Sequence, residues 1–383
     1  MTPTAAELVQ TCNSLIEVPS IDGDRAALQE VVRRIREFFH DVPVEVHEEE
    51  FGGYPSIVIT TCASKSPKIM LHGHVDVVPG KPEQFRPEVT DERLHGRGAV
   101  DMKGFVAVAM HVIRDLALSP YPPSVGLMIN TDEEVGGRCG AKHLVQQGWS
   151  AEQLINGDGG YGDAVTFAQK GIIQLTVEAL VEPGLRYAPW NGLGAADVLL
   201  RTVSEGLQQL CPQQNELAEE SNWGSTACVL SVETKENGSL PPRKASASIR
   251  VYWADDHTGA EVIELARKAF QPLKVTGRVD AERVYLSPSD PDLLHLRDLW
   301  QRQLGRPIGI RADNGSSDAK WFAPLGIPIL ILRMPGCGAH TDNEWLDVTA
   351  LKPMYQTLHQ YITEKSGEAQ ESDLAAPVIL EQP

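Results

Sequence analysis

Two histidines and an aspartate, His72, His74 and Asp76, alternate inside the otherwise apolar run IMLHGHVDVVPG at 69–80. Alternate residues of a strand point the same way, so the three share a face while Leu71, Val75 and Val77 occupy the other. Polar side chains on a buried face cost free energy unless partners satisfy them. A metal ion is one such partner, and the rest of the chain offers further ligands. Asp132, Glu133 and Glu134 follow the apolar run VGLMIN, Asp158 follows QLIN, and His340 follows IPILILRMPGCGA. Asp101 sits in the glycine-flanked turn GRGAVDMKG, ahead of a helical pattern. In open α/β sheets the carboxyl ends of the strands form the crevice where ligands bind, which would bring these distant residues together.

Histidines and carboxylates without a thiolate suit zinc, with cobalt or manganese as substitutes. There are more carboxylates than one catalytic ion with an open position needs. Two ions about 3.5 to 4 Å apart, bridged by one carboxylate and a water, are therefore expected. Taken singly, a DEE run is a solvated charge cluster and a lone histidine a hydrogen-bonded residue. The joint occurrence of these groups after successive strands sets them apart. His95, His111 and His143 stay in the ordinary class, as does His72, whose alternative is to support a ligand from behind.

The elements that must position them follow from periodicity. At 383 residues the chain exceeds the roughly 250 to 300 residues of a single core, so two domains are expected. Strand-like and helical patterns alternate up to about Gly171, which implies a mostly parallel α/β catalytic domain at 1–171. Residues 172–284 read as an inserted α+β domain with one antiparallel sheet and two helices. The first texture resumes at 285–365, and 366–383 has the makeup of a disordered tail. The formal charge of −18, from 34 basic and 52 acidic residues, argues against nucleic-acid or anionic-membrane partners. The amino terminus lacks the basic start and apolar core of a signal peptide, and no apolar run reaches the roughly 18 residues of a membrane span. Six scattered cysteines without a C-x-x-C pair read as thiols of a reducing cytoplasm.

The motifs GHVDVVPG, LHGRGAVDMKG, TDEEVGG, a short strand ending in an acid, and GAHTDNEW together resemble the dinuclear zinc amidohydrolases and metallopeptidases. That family includes acetylornithine deacetylase, succinyl-diaminopimelate desuccinylase, glutamate carboxypeptidase and the aminoacylases. The resemblance covers nearly all of the chain up to about Lys365. It implies that His74 and Asp158 bind one zinc, Glu134 and His340 the other, and Asp101 both. Glu133 would be the general base, and Asp76 would orient His74. It also implies a cis peptide bond between Asp101 and Met102, and a lid that mediates a homodimer.

In the lid, the resemblance assigns substrate-carboxylate contacts to Arg250 and to Asn237, thirteen residues before it. The family's lid histidine has no counterpart, since the chain has no histidine between His143 and His257. Arg186 and Tyr187, in the matching segment EPGLRYAPWNGLGA, are the candidate replacements. The expected activity is hydrolysis of the amide bond of N-acyl amino acids, as in acetylornithine deacetylase, by a cytoplasmic enzyme acting on a small molecule. The alternatives are a dipeptidase or carboxypeptidase of the same family, or a binding protein that kept the metals and lost catalysis.

Overall fold

The computed structural model describes residues 2–216, 223–235 and 237–374, with side chains for all of these but 215 and 367–374. It divides into two compact units. Among the described residues the first comprises 2–167, 286–311 and 317–374, and the second those within 168–285 and 312–316.

The first unit is built on a twisted sheet in the order Glu45–Phe51, Tyr54–Thr60, Val125–Asn130, Ile69–His74, Gln153–Asn156, Ile329–Leu332, Ala164–Gln169. Its four central strands run parallel, with antiparallel strands on either side. Every residue of those four strands is buried, as their near-continuous apolar sequences require of strands covered on both faces. The helix Gly104–Ala117 is apolar on almost every side and lies within the core beside Ala5–Ile16 and the carboxyl-terminal helix. Local signals set where helices begin. Thr4 caps Ala5–Ile16 in a capping box with Glu7, and Asp24 caps Arg25–Phe38 through the Ala27 amide.

Two sequence expectations change here. The strand ends at His74, so Asp76 lies beyond it, and the alternation of polar residues belongs to the strand only through His72 and His74. The last helix, Leu351–Leu374, runs through 366–374, where composition implies a disordered tail. Its first turns are anchored by the buried Met354, Tyr355, Leu358, Tyr361 and Ile362, and propagation from a nucleated helix is inexpensive even for polar residues. Residues 375–383 lie outside the described residues.

The second unit has a four-stranded antiparallel sheet in the order Thr226–Thr234, Lys244–Trp253, Gly171–Leu180, Lys274–Ala281. Along Lys244–Trp253 the residues Ala245, Ala247, Ile249, Val251 and Trp253 all point inward, a period of two. The helices Ala195–Leu210 and Gly259–Ala269 cover that face. The segment 312–316 joins this unit, which the sequence does not signal. Gly315 accepts from the Lys170 amide at 3.2 Å, and Asp313 accepts from the Gln169 side chain at 3.0 Å. Among the described residues no helix is long and apolar enough to cross a membrane.

Candidate metal centre

Parallel neighbouring strands end together, so their terminal residues share one rim. His74 is the last residue of its strand, and Asn130, Asn156 and Leu332 end the strands that carry Asp132 to Glu134, Asp158 and Arg333 just beyond them. The side-chain ligand atoms of His74, Glu133 and Asp158 lie within 4.8 Å of one another. Asp101 reaches this rim from the irregular turn Ala99–Lys103, where the Asp101-Met102 bond is cis.

The two carboxylate oxygens of Asp101 face different histidines. Oδ1 lies 3.5 Å from His74 Nε2, and Oδ2 lies 3.4 Å from His340 Nε2. His340 Nε2 is also 3.1 Å from Glu134 Oε2. Asp76 braces both groups from behind. His74 Nδ1 lies 3.0 Å from its carbonyl oxygen, and its Oδ2 accepts from the Glu134 amide at 2.9 Å. His340 adopts a positive φ of 63°, unusual for a residue with a side chain and a mark of functional loops.

Charge is crowded here. Burial raises the Asp158 carboxyl to about 7, and the neighbouring Asp101 charge adds to the effect. Burial also raises Glu133 well above the usual range, reinforced by Asp158 and Asp318. For Asp101 burial acts upward as well, but His340 and His74 outweigh it and hold the carboxyl low. Asp101 and Glu134 in turn raise His340 to about 10. Buried carboxylates opposed by histidines suit divalent cations, because an ion takes over the compensation that protons and imidazolium groups otherwise supply. The donor set of imidazoles and carboxylates therefore fits a pair of such ions.

Peptidase family M20/M25/M40 matches residues 70–364. The chain belongs to this family. Among curated relatives, a succinyl-diaminopimelate desuccinylase of Rhizorhabdus wittichii is 24% identical over 323 residues, which is 79% of this chain and 83% of the relative. A Staphylococcus aureus tripeptidase has the same fold, with a TM-score of 0.74 at 18% identity over 96% of this chain and all of that one. So does a Bacillus subtilis protein described as a dinuclear metal-binding peptidase of the M20 family, with a TM-score of 0.65 at 12% identity over 95% and 98% of the two chains. As an M20 family member the chain is a hydrolase. The α/β fold with a separate antiparallel lid sheet is that of its M20 neighbours.

Around this M20 centre the structure gives partners to residues whose role the sequence leaves open and adds Asp318, Lys320 and Arg333, which sequence reasoning missed. The ring nitrogens of His72 lie 2.8 Å from Asn156 Oδ1 and 2.9 Å from Asn130 Oδ1. Asp132 accepts the amides of Cys139 and Gly140 at 2.7 and 2.9 Å, so it shapes the loop behind Glu133 and Glu134. Lys320 Nζ lies 3.4 Å from the buried Asp318 and 4.0 Å from Glu133, and Arg333 lies 3.6 Å from Asp101. Lys320 and Asp318 belong to SSDAKWF, which follows no apolar run, so no local signal flags them.

The lid residues lie in the second unit. Arg250 Nε and Nη2 reach Gln174 Oε1 at 3.3 and 3.2 Å on the adjacent strand, and Asn237 donates to the Pro241 carbonyl at 3.4 Å. Arg186 donates to the carbonyls of Gly238 and Leu240, and Tyr187 is exposed.

Proposed function

We propose that this hydrolase cleaves the amide bond of N-acyl amino acids, as acetylornithine deacetylase does, using two zinc ions for which cobalt or manganese can substitute. The observation that carries the reading is Asp101, each of whose oxygens faces a different histidine. In this reading His74, Asp101 and Asp158 hold one ion, and Asp101, Glu134 and His340 the other. Bound divalent ions supply Lewis acidity, which polarises a carbonyl and makes water nucleophilic near neutral pH. Glu133 takes the proton of the attacking water and delivers it to the departing amine. Asp76 keeps His74 and the Glu134 backbone in register for the ions they would hold.

The relative named for removing a succinyl group from diaminopimelate supports an acyl amino acid substrate. The tripeptidase likeness favours a second reading, a dipeptidase or carboxypeptidase. Arg250 and Asn237 are proposed to meet the substrate carboxylate, and Arg186 or Tyr187 to donate to the oxyanion. The lid's outer strand Thr226–Thr234 leaves Val229, Leu230 and Val232 exposed, which supports a homodimer through this unit. A small-molecule substrate and a cytoplasmic setting complete the proposal.

Turnover on a panel of N-acyl amino acids and dipeptides, with added zinc or cobalt, tests it. Release of the free amino acid from acyl substrates is expected. Cleavage of dipeptides alone would select the second reading.

A further inference from the structure

Glu344 lies four residues beyond His340, is 2% exposed, and has no part in the ligand set. Its carboxylate collects four donors. Oε2 accepts from Arg97 Nη1 at 2.6 Å and from the Gly98 amide at 2.9 Å. Oε1 accepts from the amides of Val100 and Asp101, each at 3.1 Å. Three of these four donors are main-chain groups of the turn that presents Asp101. A carboxylate held by successive amides and a guanidinium is a strong, directional anchor.

The same carboxylate is covalently part of the loop that presents His340. That loop is exposed around Thr341 to Asn343, and its histidine adopts the positive φ noted above, so neither burial nor backbone preference holds it in place. Its other ties lie at the loop's edges or on its exposed tip: Trp345–Asp347 pairs with Arg93–His95, the Gly96 amide donates to the Glu344 carbonyl at 3.2 Å, and the exposed Lys81 and Asp342 pair at 2.7 Å. Thr341 bonds back to Gly338, and the Gln84 side chain donates to the Thr341 carbonyl at 3.2 Å.

We propose that Glu344 is the positioning residue that sets His340 against Asp101, and thereby fixes the geometry of the second ion's site before any ion binds. The inference rests on the reading of Asp101, Glu134 and His340 as ligands. Glu344 touches neither ion nor substrate; it acts by clamping the Asp101 turn and the His340 loop to each other. Arg97, itself 2% exposed, completes the carboxylate's set of donors at 2.6 Å.

The test is a calorimetric titration of chelator-treated protein with zinc, alongside circular dichroism. Wild type is expected to take up close to two equivalents. Glu344→Gln, which turns an amide group toward donors, should keep its fold yet bind at least one ion ten-fold or more weakly. Its turnover number should recover toward wild type at saturating zinc, because the chemistry is intact once the site is filled. Arg97→Lys, which keeps the cation, should bind zinc within about three-fold of wild type. If Glu344→Gln does not fold, Arg97→Gln carries the test, since it spares the three main-chain bonds and should weaken zinc at least three-fold. Zinc binding as tight as wild type in the folded Glu344→Gln, or in Arg97→Gln where that substitutes for it, even with a lowered melting temperature, would make Glu344 merely structural and overturn the inference alone. A wild-type protein that takes up no zinc would overturn the metal reading as well.

Discussion

Three adjacent carboxylates, Asp132, Glu133 and Glu134, have three different surroundings because the chain turns sharply between them. Asp132 is consumed by the amides of Cys139 and Gly140, Glu133 faces His74 and Asp158, and Glu134 faces His340. The proposed division of labour separates the last two by experiment. Glu133→Gln is expected to keep its zinc and lose roughly 100-fold or more in turnover, as removal of a general base does. Glu134→Gln is expected to weaken one ion, and metal analysis of both variants checks the assignment. Reversed phenotypes would exchange the two roles. Asp101→Ala should disturb both ions at once, seen as a metal content far below two equivalents. At the lid, loss of one preorganised oxyanion donor typically costs about 2.7 to 4 kcal/mol. Arg186→Ala should therefore lower the turnover number much more than it raises the Michaelis constant. Turnover that survives replacement of both Arg186 and Tyr187 would exclude that role.

Ligand placement at the element scale depends on how closely the helix Gly104–Ala117 packs under the strand ends. Gly157 separates Asn156 from Asp158, and a methyl group there would lie 2.2 Å from the ring of the fully buried Phe105. That ring cannot move without disturbing the core. Gly157→Ala is expected to cost about 1 to 3 kcal/mol through overpacking and to weaken zinc binding through Asp158. Denaturant unfolding and zinc titration on the same variant measure the two effects. Unchanged zinc affinity in a destabilised variant would show that the strand end relaxes without shifting its aspartate.

Across the whole molecule, the proposed ligands of each ion come from distant chain positions, His74, Asp101 and Asp158 for one and Asp101, Glu134 and His340 for the other, so both sites exist only in the folded chain. By mass action, free zinc at 100 times its dissociation constant should stabilise the fold by about 2.7 kcal/mol. Removal of metal with a chelator should lower the melting temperature, and zinc should restore it. An unaltered melting curve would argue against tight binding in the native state. The proposed homodimer is tested separately. Val232→Lys places a charge on the exposed outer strand and should shift sedimentation from dimer to monomer, as charges on edge strands do.

Much of the fold, and the convergence of several candidate site residues on one rim, was legible in the chain alone. Continuous apolar runs name buried parallel strands, and the residues directly after them, His74 at one strand's end and Glu133, Glu134 and Asp158 beyond others, fall on a common rim because parallel strands end together. The alternating residues of Lys244–Trp253 likewise announce a sheet covered on one face. Other features depend on contacts between segments far apart in sequence, which no local pattern encodes. The grip of Glu344 on the Asp101 turn, the approach of Lys320 to Glu133, and the pairing of Gly315 with Lys170 are of this kind. Periodicity reports which way a side chain faces, whereas a hydrogen bond across 243 residues exists only once packing has brought its two ends together.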